Sequence, residues 1–321
     1  MKYFKILYIT LFFYTHIASN LYATEIKHIH FLIPGGNGGG WDKTARSVGK
    51  ALTTSNLLKS ASYENISGSS GGKALSYIIE TAPTQKNTLM INSTPILIRS
   101  LQHLFSKSFK DLTLVSSIIA DYQVLAVRTD SPLKNWSDIL KTFQSNPRLL
   151  KVGGGSNRGG MDHLVSAEIF KAAGENPQNI YYLAYDAGGK ALDALLKKEV
   201  DILSTGFGEV FQRHKKGDVR IIAVTSKEPI ENAKNIPTFY SLGIDVVFAN
   251  WRGFFAAPGI DKEKVKKIQN LLVQMLESPQ WKEIQKRNGW INLYKTDKEF
   301  EKLLKDQENN IGIVIRDLGI L

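Results

Sequence analysis

The residues best placed to do chemistry lie in IPGGNGGGWDKTAR, Ile33 to Arg46. Glycine fills Gly35, Gly36, Gly38, Gly39 and Gly40, between an apolar run, Ile29 to Ile33, and a segment of helical spacing that starts near Trp41. Glycine permits positive φ and puts no Cβ between a ligand and backbone N–H groups. A glycine-rich turn from a strand into a helix therefore makes an anion site: first-turn N–H groups point at the ligand and the helix dipole favours negative charge. The alternative is a tight strand–helix turn with no ligand, because glycine also simply marks turns. KVGGGSNRGGMDHLVSAEIFKAAG, Lys151 to Gly174, repeats the layout. A short strand enters the turn, a helix carries Val165, Ile169 and Ala172 on one face, and Gly174 can end it. Two such turns suggest two similar halves facing one ligand.

Four carboxylates lie near glycine turns, Asp42, Asp162, Asp186 and Glu209, and any is a candidate general base. An acid in the first turn also stabilises its own helix, which accounts for Asp42 and Asp162. Asp186 suits a plain turn. Other enzyme signatures fail. Gly72-Lys73 and Gly189-Lys190 are each followed by alanine where a phosphate loop needs Ser or Thr. Ser156 has Gly154 before it but Arg158 two residues later, so it makes no nucleophile elbow. No G-x-G-x-x-G follows a strand, which disfavours a dinucleotide fold. The chain holds no cysteine, hence no thiol nucleophile and no disulfide. His28 and His30 share a strand face, but a metal site needs a third ligand that is not evident, and no metal or cofactor is expected.

The elements that must position these residues alternate. A strand, His28–Ile33, precedes a helix with Ala45, Val48 and Leu52 on one stripe. Glu64 to Ile78 again reads strand edge, glycine turn, helix; Thr88 to Leu97 is apolar around a hydroxyl-rich turn at Ser93, Thr94 and Pro95. Leu112 to Arg128 holds two strand-like runs separated by Asp121, and Ser137 is a candidate N-cap for the next helix. Asn179 to Gly206 gives strand, turn, helix, strand; Val219 to Ser226 is another strand; Ile244 to Gly259 is apolar and extended. Helices at Asp261 to Glu277 and about Thr296 to Asn309 complete an α/β chain of parallel sheets covered on both faces. A chain of 321 residues, 43 % apolar, usually divides into two domains.

Net charge is +11, but the basic residues are scattered and no basic stripe interleaves with aromatics, which argues against nucleic acid. A positive field helps capture an anionic solute. At the N-terminus Lys2 and Lys5 precede an apolar run, Ile6 to Ile17, with Ala23 a plausible last residue before cleavage. That layout predicts a signal peptide over 1–23; the run is short for a membrane span, although an uncleaved anchor or buried helix is the alternative. Without a cysteine at the cleavage region, a lipid-anchored lipoprotein is not expected.

Five segments together resemble the Bug-type solute-binding proteins of tripartite tricarboxylate transporters: PGGNGGGWDKTAR, SGSSGGKAL, GGGSNRGGMDHL, the run from Tyr185 to Ser226, and NIPTFYSLGIDVVFANWRGFFAAPG, Asn235 to Gly259. They cover nearly the whole mature chain in order, and Asn250-Trp251-Arg252-Gly253 is the most specific. Trp41 beside Asp42 looks more like the tricarboxylate-binding branch than the amino-acid-binding ones. The resemblance implies a two-lobed, Venus-flytrap periplasmic binding protein of type II-like α/β fold, with lobe 1 at 24–121 and 251–321, lobe 2 at 122–250, and a hinge near Tyr122 and Asn250. It implies a small carboxylate, citrate-like, gripped by backbone N–H groups, often through water. Carried over, lobe 1 offers Gly38, Gly39, Gly40, Trp41 and Asp42 with Ser69, Ser70, Ser93 and Thr94; lobe 2 offers Ser156, Asn157, Arg158, Gly159, Gly160, Tyr185 and Asp186. Arg158 departs from relatives that carry small residues there; it either grips a second carboxylate bidentately or points to solvent. The implied partners are membrane permease subunits, with the receptor itself a monomer. The competing classes are an exported enzyme on a small carboxylic acid, with Asp186 or Glu209 as base, and a receptor serving a signalling protein.

Overall fold

The computed structural model describes residues 26–317 and 319, so the expected leader at 1–23 lies outside the described residues. β1 (His28–Ile33) buries Phe31, Leu32 and Ile33 completely, the mark of a strand covered on both faces. It pairs in parallel with β2 (Ser60–Asn65) and β3 (Thr88–Ser93). The connections are α1 (Gly40–Thr54), which buries the expected stripe Ala45, Val48 and Leu52, and α2 (Gly72–Glu80). α3 (Pro95–Leu101) leads into β4 (Thr113–Arg128). There follow α4 (Trp136–Ser145), β5 (Lys151–Gly154), α5 (Met161–Ala172), β6 (Tyr181–Ala184), α6 (Gly188–Leu196), β7 (Ile202–Gly206), α7 (Phe207–Lys215) and β8 (Val219–Val224). The chain closes with β9 (Ala249–Ala256), α8 (Lys262–Glu277), α9 (Pro279–Asn288), β10 (Ile291–Lys295) and α10 (Asp297–Asp317).

The strands run in the order β2-β1-β3-β9-β4-β7-β5-β6, with β8 and β10 also on β4. The strands joined by helices, β1 to β3 and β5 to β7, pair in parallel as alternation implies. The long strands β4 and β9 add antiparallel pairs between these two groups. Within β4, Thr113 to Tyr122 pairs with β9, and Gln123 onward pairs with β7 and β8. The fold is thus a two-lobed α/β arrangement with helices flanking a mixed sheet.

Several expectations need correction. Leu112 to Arg128 is one strand rather than two, because Asp121 in its middle is fully buried yet fully paired, as described below. Ser137 caps nothing: Asn135 is the N-cap, and its side chain accepts from the Asp138 N–H at 3.0 Å. Only Ala249–Ala256 of the extended stretch is a strand. α9 and β10 were not anticipated, since α9 buries just Trp281 and Ile284 and shows little apolar periodicity. The last helix runs on to Asp317. Gly174 follows α5 at φ +86°, the left-handed stop its glycine suggested. His28 is held by Ser60 and Ser62, and His30 by Ser62 and Glu64, all on β2. No helix among the described residues is long and apolar enough to cross a membrane.

Candidate functional site

The two glycine turns meet at one cleft of about 400 Å³. α1 begins there at Gly40, behind the N-cap Gly39, which has no side chain to take up the first-turn N–H groups. Gly38 takes φ +79°, which explains the glycine there. Gly39 has φ −72°, so freedom from a side chain, and not backbone strain, is what matters at that position. Asp42 braces the turn from behind. Its carboxylate accepts from Gly38 N (2.9 Å), Arg46 Nε (2.8 Å) and Asn65 Nδ2 (3.0 Å). Asn65 Nδ2 also donates to Gly35 O at 2.8 Å. Burial alone would raise the Asp42 pKa, but these donors outweigh it and hold the carboxyl below its ordinary range. Trp41 lies on the cleft wall, its indole donating to Ser93 Oγ at 2.8 Å.

The second turn is built differently. Asp162 N donates to Ser156 Oγ (3.0 Å), Gly160 N to Asn157 O (2.7 Å) and Gly159 N to His163 Nδ1 (3.0 Å). That last bond puts the imidazole proton on Nε2, and burial with nearby Arg158 pushes His163 down to about 4, so it stays neutral. Asp162 is pushed up to about 8, by burial first and by the Glu209 charge second, against hydrogen bonds from Gly155 and Ser156. Gly155 is in close approach to a third element: a Cβ there would stand 2.1 Å from Gly188 N at the start of α6.

Arg252 of β9 sits against the first turn and is 3 % exposed. It donates to Gly40 O (3.1 Å) and Thr44 Oγ1 (2.9 Å), pairs with Asp121 at 2.9 Å and comes within 3.7 Å of Glu209. Asp121 also accepts from Gly208 N at 3.0 Å. Burial pushes Asp121 up to about 6, opposed by the Arg252 charge and the Gly208 bond. Glu209 accepts from Thr205 Oγ1 at 2.9 Å and fills the space that a Cβ at Gly40 or Gly188 would need.

Of the residues singled out in the sequence, Gly39, Gly40, Trp41, Ser69, Ser93, Ser156, Asn157, Gly160, Tyr185 and Asp186 line this cleft. Gly38, Asp42, Thr94, Arg158 and Gly159 do not. Thr94 stands behind the wall, with its N–H on Asn250 Oδ1 (3.3 Å) and its hydroxyl on Gln307 (3.2 Å). Arg158 is exposed to solvent. The Ser70 side chain lies outside the described residues. Sequence reasoning missed Arg99, Asn250, Arg252 and Gly188 in the lining, and gave Asp162 and Glu209 only as possible bases. The specific Asn250–Gly253 segment is the signal that could have found Arg252. Arg99 sits in a helix whose sequence carries no such mark. Among the described residues no three His, Asp or Glu side chains form a metal-binding group.

The model of the tripartite tricarboxylate transporter family receptor matches residues 45–320, and the chain belongs to that family. A UPF0065 protein of Bordetella pertussis is 23 % identical over 298 residues, 92 % of this chain and 90 % of that protein. MatC of Rhodopseudomonas palustris, solved with bound malate, superposes with a TM-score of 0.77 at 18 % identity, over 90 % of this chain and 98 % of its own. A second R. palustris protein, solved with adipate, superposes with a TM-score of 0.83 at 20 % identity, over 91 % and 97 %.

Proposed function

We propose that this member of the tripartite tricarboxylate transporter receptor family is an extracytoplasmic receptor that closes on a small di- or tricarboxylate and hands it to membrane permease subunits. The observation that carries the reading is the convergence of α1, α5 and α6 at their N-termini on one cleft, with glycine at or beside each start. Neutral N–H donors there bind an anion without the full desolvation cost of a buried ion pair. The ligands of the two structural neighbours, malate and adipate, are carboxylates, which supports the class. We place the lobe boundaries at 24–121 with 251–321, and 122–250. The change of β4 from β9 to β7 and β8 after Tyr122, and the pairing of Asn250 with Asp121, support a hinge there. Export by a cleaved leader completes the reading.

The test is mass spectrometry of ligand released from freshly purified protein, followed by calorimetric titration with citrate and malate. A bound carboxylate recovered unchanged after incubation is the expected result. Conversion of the ligand would establish the exported-enzyme alternative, and release of a cationic or neutral solute would reject the anion site.

A further inference from the structure

We propose that Glu209 is the residue that selects the ligand: its carboxylate accepts a hydrogen bond from a hydroxyl or ammonium group carried beside the ligand's own carboxylate, so the cleft prefers substituted acids to plain ones. The proposal rests on the reading of the cleft as a carboxylate site. Glu209 stands in the first turn of α7, lines the cleft, and has a side chain 17 % exposed. Glycines on two sides leave room for its carboxylate. A Cβ at Gly40, where α1 begins, would come within 2.5 Å of Oε1, and one at Gly188, where α6 begins, within 1.8 Å of Oε2. Its charge also acts on Asp162 in the first turn of α5. The helix starts that make the cleft an anion site therefore already face one carboxylate of the protein itself.

That carboxylate is not filled. An ionised carboxylate can accept at about four lone-pair positions. Oε2 takes the Thr205 hydroxyl at 2.9 Å. Oε1 has Arg252 Nη2 at 3.7 Å, too long for a hydrogen bond, and the same Nη2 lies closer to Asp121 Oδ2, at 2.9 Å. Among the described residues no hydrogen bond reaches Oε1. Water can satisfy it while the cleft is open. A ligand that displaces this water must supply a donor, because an unpaired charged acceptor in a closed cleft is costly. A plain acid offers Oε1 only methylene groups or a second negative charge. A hydroxyl or ammonium offers the missing donor, and a site built around such a donor rejects the analogue that lacks it.

The test titrates the mature protein calorimetrically with L-malate, L-aspartate and their plain counterpart succinate, and with citrate and its plain counterpart tricarballylate. The expected wild-type result is a preference of at least about tenfold for one substituted acid over its plain counterpart. Malate or citrate in the lead identifies a hydroxyl, aspartate an ammonium. Glu209→Gln should weaken the preferred acid at least about tenfold, while succinate and tricarballylate bind no more weakly than to wild type. A role in folding alone would move all the acids together, and a merely repulsive charge would tighten all of them on removal. If Glu209→Gln gives no cooperative melt, Glu209→Asp decides: it keeps the charge but withdraws the carboxylate by one methylene, and should narrow the preference without weakening the plain acids. No preference in the wild type, an undiminished preference in the folded variant, or an equal change of all the acids overturns the proposal and leaves the carboxylate reading intact. A wild type that binds none of the five acids overturns both.

Discussion

The two glycine turns read alike in sequence, yet they hold opposite electrostatic states. In the first, Asp42 is a charged brace that the turn's own Gly38 N–H feeds. In the second, the corresponding acid, Asp162, is driven toward its neutral form, and a neutral His163 takes the N–H of Gly159. The reason is in the neighbours. Four residues after Asp42 stands Arg46, and Asn65 of β2 reaches over. Four residues after Asp162 stands Ser166, and the larger charge acting on Asp162 is Glu209, with Arg252 opposing it more weakly. An acid in a helix first turn is thus not one signal: the residue one turn on and the facing helix set its charge.

The turns also differ in what their glycines touch. A Cβ at Gly155 meets backbone, Gly188 N at 2.1 Å and Ala187 C at 2.4 Å, whereas one at Gly39 meets only Gly36 O at 3.4 Å and the Ala187 methyl at 4.0 Å. The largest expected effect follows: Gly155→Ala should cost about 3 kcal/mol of stability in urea unfolding, because rigid backbone must move. Gly39→Ala should cost a small fraction of that. Equal losses would mean that the two turns are packed alike. Next is Asp42→Asn. The charged acceptor of three donors is removed, so about 1.5–3 kcal/mol of stability should go, beyond what a helix dipole alone explains. A loss under about 0.5 kcal/mol would reduce Asp42 to an ordinary first-turn acid.

Gly39→Val comes third, and its effect is on binding. The side chain would stand over the open start of α1, opposite Ala187, so affinity for the released native carboxylate should drop at least tenfold, about 1.4 kcal/mol, with a smaller loss of stability. Calorimetry alongside a melting curve separates the two. A folded variant that binds as tightly as wild type would remove the first turn from the site.

Much of this was legible from the residues. β1 and α1 announce themselves by an apolar run, a glycine turn and a helical stripe, all local signals. The cleft lining contributed by the two turns followed from the same signals. What was not legible depends on long-range contacts. Asp121 looks like a strand breaker until Arg252, 131 positions later, pairs with it. α9 escapes because its exposed faces carry no periodicity. Arg99 reads as an unremarkable helix residue, and only the packing of α3 against the second turn brings it to the cleft.

The last expected effect is the sharpest test of the contrast between the turns, and it concerns Asp162. The ordinary carboxyl value of 3.8 rises to about 8 in the folded chain. Between these values the folded state holds a proton that the unfolded state has released, so stability falls as pH rises through that window and levels off above it. His163 runs the other way: its folded value of about 4 lies below the ordinary 6.5, so it lowers stability as pH falls from 6.5 to 4. Asp121 and Glu168, each raised to about 6, act mostly below pH 6.5. From pH 6.5 to 8 Asp162 therefore dominates, with only the upper tails of His163, Asp121 and Glu168 beside it. Wild-type stability should decline there by up to about 1.4 kcal/mol per pH unit, and Asp162→Asn, near-isosteric with the neutral acid, should be flat. The variant should match wild type near pH 6.5 and exceed it at pH 8. Asp42→Asn should leave the slope in this interval unchanged, because the Asp42 carboxyl is ionised throughout it. Calorimetric melts at pH 6.5, 7.2 and 8 read all three. Parallel slopes for wild type and Asp162→Asn would mean that Asp162 is already ionised, and the two turns would then hold their acids in the same state.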